Sequence, residues 1–378
     1  MEKDSPALCG EDNRQKRSSN FELLRILTML CIIAHHYVVN SGITEKITQS
    51  NVLQWNSVFA LIFGWGGKTG INVFVLITGY FMCKSKISLK KFLGIFFEIE
   101  FYEIVFYVFF ISVGYESFSL KVFIRTICFP IYDIGYGFCG SYLVFFLFIP
   151  YINLLIKNMD EKQHLSLVGL CLLVGMIFQT FLKAPSAFTY VGWFIVLYFI
   201  SSYFRLHLDG EYDNKWLRDI FSHKKVWRYA VIFSLMLSWV SVVAGAAVYH
   251  LLGENLIYYF VADSNKFLAV ITAICLFQFF RNIEMGCNKV INMIARSTFG
   301  VLLLHANSEM MMRWLWQDLF NNVKAYQTGT ENMGYFMFHA FGTVIIIYCI
   351  CTIIDMIRIK FIEYLFSRKI VLKWRGNL

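Results

Sequence analysis

Charged side chains are scarce in this chain of 378 residues. Asp, Glu, Lys and Arg together make up 16% of it, against about 25% in soluble domains. Hydrophobic residues reach 58%, aromatic residues 18%, and the mean hydropathy is +0.57. Length alone would suggest several soluble domains. The shortage of charge excludes them and points to one polytopic membrane domain. Familiar soluble chemistries lack their signatures as well. There is no GxGxxG behind a strand, no GxxxxGK(S/T), no HExxH and no GxSxG, which removes dinucleotide, P-loop, zinc-protease and serine-hydrolase readings. His35 and His36 are adjacent and cannot make an i,i+4 metal pair, so no metal is expected. The ten cysteines contain no CxxC and lie mostly in apolar runs, with Cys349 and Cys351 on different faces of one helix. They read as small buried hydrophobes without a disulfide framework.

No cleavable signal is visible. Residues 1–19 are polar and of mixed charge, and no small-residue cleavage site follows the first apolar run. That run is expected to stay as a signal anchor, with 1–19 as a disordered cytoplasmic tail. A span needs about 20 mostly apolar residues. Ten stretches approach this: 21–40, 57–82, 92–114, 138–156, 164–183, 187–204, 227–250, 265–281, 290–314 and 336–357. The fifth and sixth meet in a tight turn containing Pro185. The segment 129–140 could be re-entrant or interfacial.

The net charge of +9 does not imply nucleic acid, because lysine and arginine placement follows the membrane sidedness rule. Alternate connections carry Arg14, Lys16 and Arg17; Lys84, Lys86, Lys90 and Lys91; Lys157 and Lys162; the charged loop 205–228; Arg281 and Lys289; and the basic run 358–375. The opposite connections hold Lys46, Lys121, Arg125, Lys183 and Lys324. The expectation is an all-α polytopic transmembrane helix bundle with about ten spans and both termini cytoplasmic. Its membrane domain would cover 20–362, followed by a basic cytoplasmic tail over 363–378 and no appended soluble domain.

Two ionisable residues share one face of the first span. Arg25 and His36 are eleven positions apart, just over three helical turns and about 16 Å. A charge in a membrane helix costs roughly 2.5–3.5 kcal/mol on insertion scales and marks a functional suspect. Glu22 and Asn40 extend the same stripe. Arg25 could instead snorkel to the interface and His36 could pack within the bundle, but snorkelling does not account for an aligned histidine above. His35, about 100° round the helix, reads as structural.

Three further constellations stand out. The ninth span carries His305 at a depth similar to His36, with Thr298 and Glu309 at spacings of seven and four on its face; a packed core histidine is the competing reading. The second span reads GWGGKTGINVFVLITGY, with Gly64, Gly66, Gly67 and Gly70 ahead of Lys68 and Asn72. Those glycines suit either tight small-residue packing or irregular backbone lining a cavity. The third span places Glu98, Glu100 and Glu103 within six residues. They need cationic partners, and Arg25, Lys68 and His36 are the available ones. Structural pairing and catalysis both remain open.

The arginine and histidine in LLRILTMLCIIAHH, the stretch GINVFVLITGYF, and INMIARSTFGVLLLH ending at His305 together resemble the acyltransferase-3 family of bacterial integral-membrane O-acyltransferases. The resemblance spans nearly the whole chain and fits ten spans. It implies a cytoplasmic acyl-CoA donor, usually acetyl-CoA, as co-substrate with no bound cofactor. It implies a hydroxyl of a surface polysaccharide or lipid-linked sugar as acceptor, and a place in the bacterial cytoplasmic (inner) membrane. Arg25 would then grip a CoA phosphate, and His36 would take the acceptor proton as general base. Asn72, Lys68, His305 and Glu103 are candidate substrate or donor contacts, the first three as donors to the developing oxyanion. Many members carry R-x-x-R entering the third span; here Lys90 and Lys91 stand there, which supply charge without the bidentate fork.

Two other classes bear on the same features. A transporter or flippase could use the glycines and intramembrane glutamates as a substrate or proton path, although no paired internal repeat is visible. A polysaccharide polymerase would need a large extracytoplasmic loop, and the largest loop here is cytoplasmic.

Overall fold

The computed structural model describes residues 18–128, 137–185, 188–209 and 215–375. The expected N-terminal tail up to residue 17 and the first eight residues of the re-entrant candidate, 129–136, lie outside the described residues. Every one of the ten apolar stretches carries helix, and no strand occurs among the described residues. The chain is a helical membrane bundle.

The principal helices are α1 (Ser19–Val39), α2 (Trp55–Phe63), α3 (Gly67–Met82), α4 (Leu89–Ser112), α5 (Phe138–Lys157) and α6 (Glu161–Leu172). They continue with α7 (Tyr190–Tyr203), α8 (Lys224–Leu252), α9 (Phe267–Arg281), α10 (Lys289–Ala295), α11 (Thr298–His305) and α12 (Met333–Arg375). Seven helical segments are long and apolar enough to cross a membrane, counting α2 with α3 as Trp55–Met82 and α6 with its extension as Glu161–Phe181. The remaining three stretches depart for visible reasons. Helix α4 carries three glutamates in its middle, α9 has 15 residues, and the expected span 290–314 is broken twice.

Helix α1 runs through the middle of the bundle, against α2, α3, α9, α10, α11 and α12. Its polar start explains how it is anchored. Ser19 is buried, donates to Asn292 Oδ1 at 2.9 Å and accepts the Asn288 amide at 2.8 Å. Asn20 donates to the Phe280 carbonyl at 2.8 Å. Ser19 and Asn20 thus both find partners on the α9–α10 corner. Residues 18 and 19 therefore belong to the bundle, and the expected tail ends earlier than residue 19.

The glycines of the second span serve both readings given above. The backbone breaks between α2 and α3 at Gly64–Gly66, and the glycines around it face α1. A methyl group on Gly67 would sit 2.4 Å from the His35 ring, and one on Gly70 would sit 2.7 Å from Ile32. These two positions let α1 approach closely enough for its inner stripe to meet α3. The cysteines depart from expectation. Cys275 and Cys351 are buried, but Cys31 and Cys349 are exposed, as apolar groups can be where lipid is the solvent. Helix α12 is 43 residues long, about 65 Å, so the expected basic tail continues it as helix as far as Arg375.

The Gly67 contact yields a stability prediction. Gly67→Ala should lower stability by about 1–3 kcal/mol through overpacking, read as a reduced unfolding midpoint in detergent. Gly169→Ala is the control. Its site in α6 meets nothing within 4 Å, so its midpoint should stay level or rise slightly.

Candidate active site

The fold brings His36 and His305 into contact across 269 positions, His36 Nδ1 lying 3.0 Å from His305 Nε2. The opposite nitrogen of His305, Nδ1, lies 2.6 Å from the Val301 carbonyl. A carbonyl only accepts, so His305 carries its proton on Nδ1, and with both rings neutral its Nε2 is an acceptor. His36 must then donate from Nδ1. Its Nε2 is left bare, with no partner among the described residues. A chain of two hydrogen bonds therefore fixes both tautomers and presents one basic nitrogen. His305 is 1% exposed, whereas His36 lines a cavity of about 420 Å³.

That cavity also takes in His35, Asn40, Lys68, Glu103 and Asn307. Apolar walls come from α1, α3 and α11, including Ile32, Phe74 and Leu303. Few polar groups in a largely apolar pocket is the usual composition of a small-molecule site. Helix α11 ends at His305, and the next short helix, Glu309–Arg313, restarts from an extended Ser308 that accepts the Met311 amide. Irregular backbone at membrane depth is tolerated where it lines a cavity, and Ala306 and Asn307 do so here.

The expected residues separate on this geometry. His36, Lys68 and Glu103 line the cavity, and His305 meets His36 from behind the wall. Lys68 donates to the Tyr190 hydroxyl and lies over that ring, 5.2 Å from its centroid. Asn72 does not join them. It is fully buried, its Nδ2 donating to the Ser264 carbonyl at 2.6 Å and its Oδ1 accepting from Trp193 Nε1 at 3.1 Å. Both ends of its amide are consumed in tying α3 to α7 and to the chain entering α9, so it is no oxyanion donor. Arg25 sits one turn below Met29, the deepest α1 residue of the cavity, paired with Glu22 at 3.4 Å. His35 donates to the Gly64 carbonyl at 2.6 Å, consistent with a structural part. Thr298 is buried and bonds the Ala295 carbonyl, whereas Glu309 is exposed. The break at Ser308 carries Glu309 off the His305 face, which corrects the spacing argument.

Glu98 is partnered from an unexpected direction, whereas the buried Glu100 Oε1 has no hydrogen-bond partner among the described residues. Glu98 accepts from Arg358 of α12 at 2.6 Å, and Arg358 also bonds Asp355 at 2.8 Å. Asp355 is fully buried and accepts from Tyr102 at 2.7 Å. The cation for Glu98 is thus Arg358, not Arg25, Lys68 or His36. Sequence reasoning missed Asp355, Tyr190 and Asn307. For Asn307 a signal existed, since Ser308 followed by an acidic first turn reads as a helix start. Among the described residues no group of three or more His, Cys, Asp or Glu side chains converges to hold a metal.

A family model described as an acyltransferase domain matches residues 18–354. The chain belongs to the acyltransferase-3 family. No curated protein and no solved structure matches it. Within this acyltransferase domain the matched region contains the whole cavity and the histidine pair.

Three variants test the site. His305→Ala should lower the rate of acyl transfer by about 100- to 1000-fold, within the range general-base catalysis contributes. His305→Gln, which can still accept from His36, should recover part of that loss. The His36→Ala, His305→Ala double variant should be no slower than His36→Ala alone, because the pair acts as a unit. Separately, Arg358→Ala should destabilise the bundle by about 3–5 kcal/mol, because it strands buried carboxylates.

Proposed function

We propose that the protein transfers an acyl group, acetyl in the first instance, from cytoplasmic acyl-CoA to a hydroxyl of a cell-surface polysaccharide or lipid-linked sugar. Its place would be the bacterial cytoplasmic (inner) membrane. The observation that carries this reading is the bare Nε2 of His36, held at the wall of a cavity by a second histidine.

The chemistry balances without a further reactant. The acceptor hydroxyl gives its proton to His36 Nε2 as its oxygen bonds the thioester carbonyl carbon. The carbon–sulfur bond then breaks, and the proton leaves with the CoA thiol. Protonation makes His36 a cation whose Nδ1–H still donates to neutral His305, so the pair needs no rearrangement as charge develops. Lys68 is the cation at the cavity wall suited to the tetrahedral oxyanion. Arg25 lies about 16 Å along α1 from His36, comparable to an extended pantetheine arm, and would hold a donor phosphate. Lys90 and Lys91, exposed at the start of α4, add positive charge on the same side.

The test uses membranes containing the protein and acetyl-CoA labelled in its acetyl group. Label should pass to glycan with release of CoA, and His36→Ala should abolish both. Unchanged transfer by His36→Ala would refute the assignment. Solute flux without thioester cleavage would favour the transporter reading instead.

A further inference from the structure

A second cavity, of about 400 Å³, lies where the extension of α6 ends, α7 begins and the chain enters α9. Charge placement puts these connections on the extracytoplasmic side. Its volume falls within the roughly 300–1,000 Å³ of small-molecule sites, and its walls are more polar than those of the first. Thr189 and Asp263 are exposed at its edge, and Asn265, Gln179 and Lys266 stand further in. Asn265 donates to the Gln179 side chain, and Lys266 donates to the Gln179 carbonyl at 3.2 Å. Ser264 also lines it, 1% exposed, with a hydroxyl that has no hydrogen-bond partner among the described residues. Such a buried, unmatched hydroxyl is costly unless a ligand meets it.

The two cavities share one residue. Lys68 lines both, and its ammonium lies against Tyr190, which lines the second. A lysine side chain on a tyrosine ring, a flexible contact, therefore lies between the two sites. The remaining polar groups are paired amides, a carboxylate, hydroxyls and a tyrosine face. This mixture of donors and acceptors beside an aromatic surface matches a ring carrying several hydroxyls.

We infer that the second cavity receives a glycosyl residue of the acceptor from the extracytoplasmic side, and that the Lys68–Tyr190 contact is the partition its reacting hydroxyl passes to reach His36. The inference rests on the acyl-transfer reading and extends it by locating the acceptor. The geometry divides the reactants, with the donor arriving along α1 from the Arg25 end and the acceptor arriving past Tyr190. Lys68 then has two tasks, guarding the opening and facing the carbonyl that is attacked.

The experiment uses the full chain in membranes and two readouts. The acceptor probe is the host's own envelope glycan extract, stripped of O-acyl groups by mild base. In the first readout, Asn265→Cys is labelled with a membrane-impermeant maleimide, and the extract should slow labelling at least tenfold. In the second, acetyl transfer by Asn265→Ala and by Ala184→Trp, which fills the cavity without removing a side-chain hydrogen bond, is measured against glycan concentration. Both should raise the half-saturating glycan concentration at least tenfold and leave that of acetyl-CoA within twofold. CoA release and transfer with no protection and an unchanged glycan dependence would overturn the acceptor site alone. A cysteine at 265 that never labels would overturn it too, because the cavity would not open outward. Protection without any thioester cleavage would instead uphold a glycan site and remove the acyl-transfer reading.

Discussion

The hydrogen bond between His36 and His305 is the constraint on which the site depends. Two imidazoles inside a lipid-facing bundle are expensive unless each polar atom is answered. Here three of the four ring nitrogens are accounted for by one contact between helices and one carbonyl of the same helix. What remains is a single nitrogen turned to a cavity. The orientation of the free nitrogen and the satisfaction of the buried ones therefore come from the same bond.

The surrounding architecture can be read as what this bond requires. Helix α1 must pass close to α3, hence glycine where the His35 ring and Ile32 press against it. Helix α11 must end at His305, which frees the chain at Ala306 and Asn307 to line the cavity. Its other side must also be fixed, and a methyl group on Gly300 would lie 2.1 Å from the Asp355 carboxylate. Asp355 is held by Tyr102 and Arg358, which also reaches Glu98. The helices around the cavity are thereby tied through α4 and α12 as well. A comparable device gathers at Asp209. Asp209 accepts from Arg281 at 2.9 Å and Arg205 at 3.2 Å, and Tyr80 bonds the same carboxylate. Asp209, Asp355 and Glu98 are thus each answered by a partner from another helix, the condition under which such groups persist.

Local pattern made the bundle and much of the site legible. Ten apolar runs became helices because a segment in lipid must satisfy its own backbone. The Arg25, His36 and His305 placements followed from helical periodicity and depth. What stayed hidden depended on distant pairing. Nothing near Glu98 announces that its cation lies 260 positions away on the last helix. Asn72 looked available because its neighbours along α3 are apolar, yet Trp193 and Ser264 occupy both ends of its amide. The break after His305 was masked by the run of methionines that follows it. Glu309 therefore seemed to share a face that the helix does not continue.

The account reduces to one nitrogen, His36 Nε2, kept bare and accessible by a donated Nδ1 proton. Nitrogen-15 NMR of the histidine-labelled protein in lipid, assigned through His36→Ala and His305→Ala, reads that arrangement directly. For the neutral pair the account predicts protonated Nδ1 and unprotonated Nε2 on both rings, with His36 Nδ1–H coupled to His305 Nε2. A neutral His36 protonated at Nε2, with Nδ1 bare, would contradict it, because the nitrogen facing the cavity could then not accept the acceptor's proton.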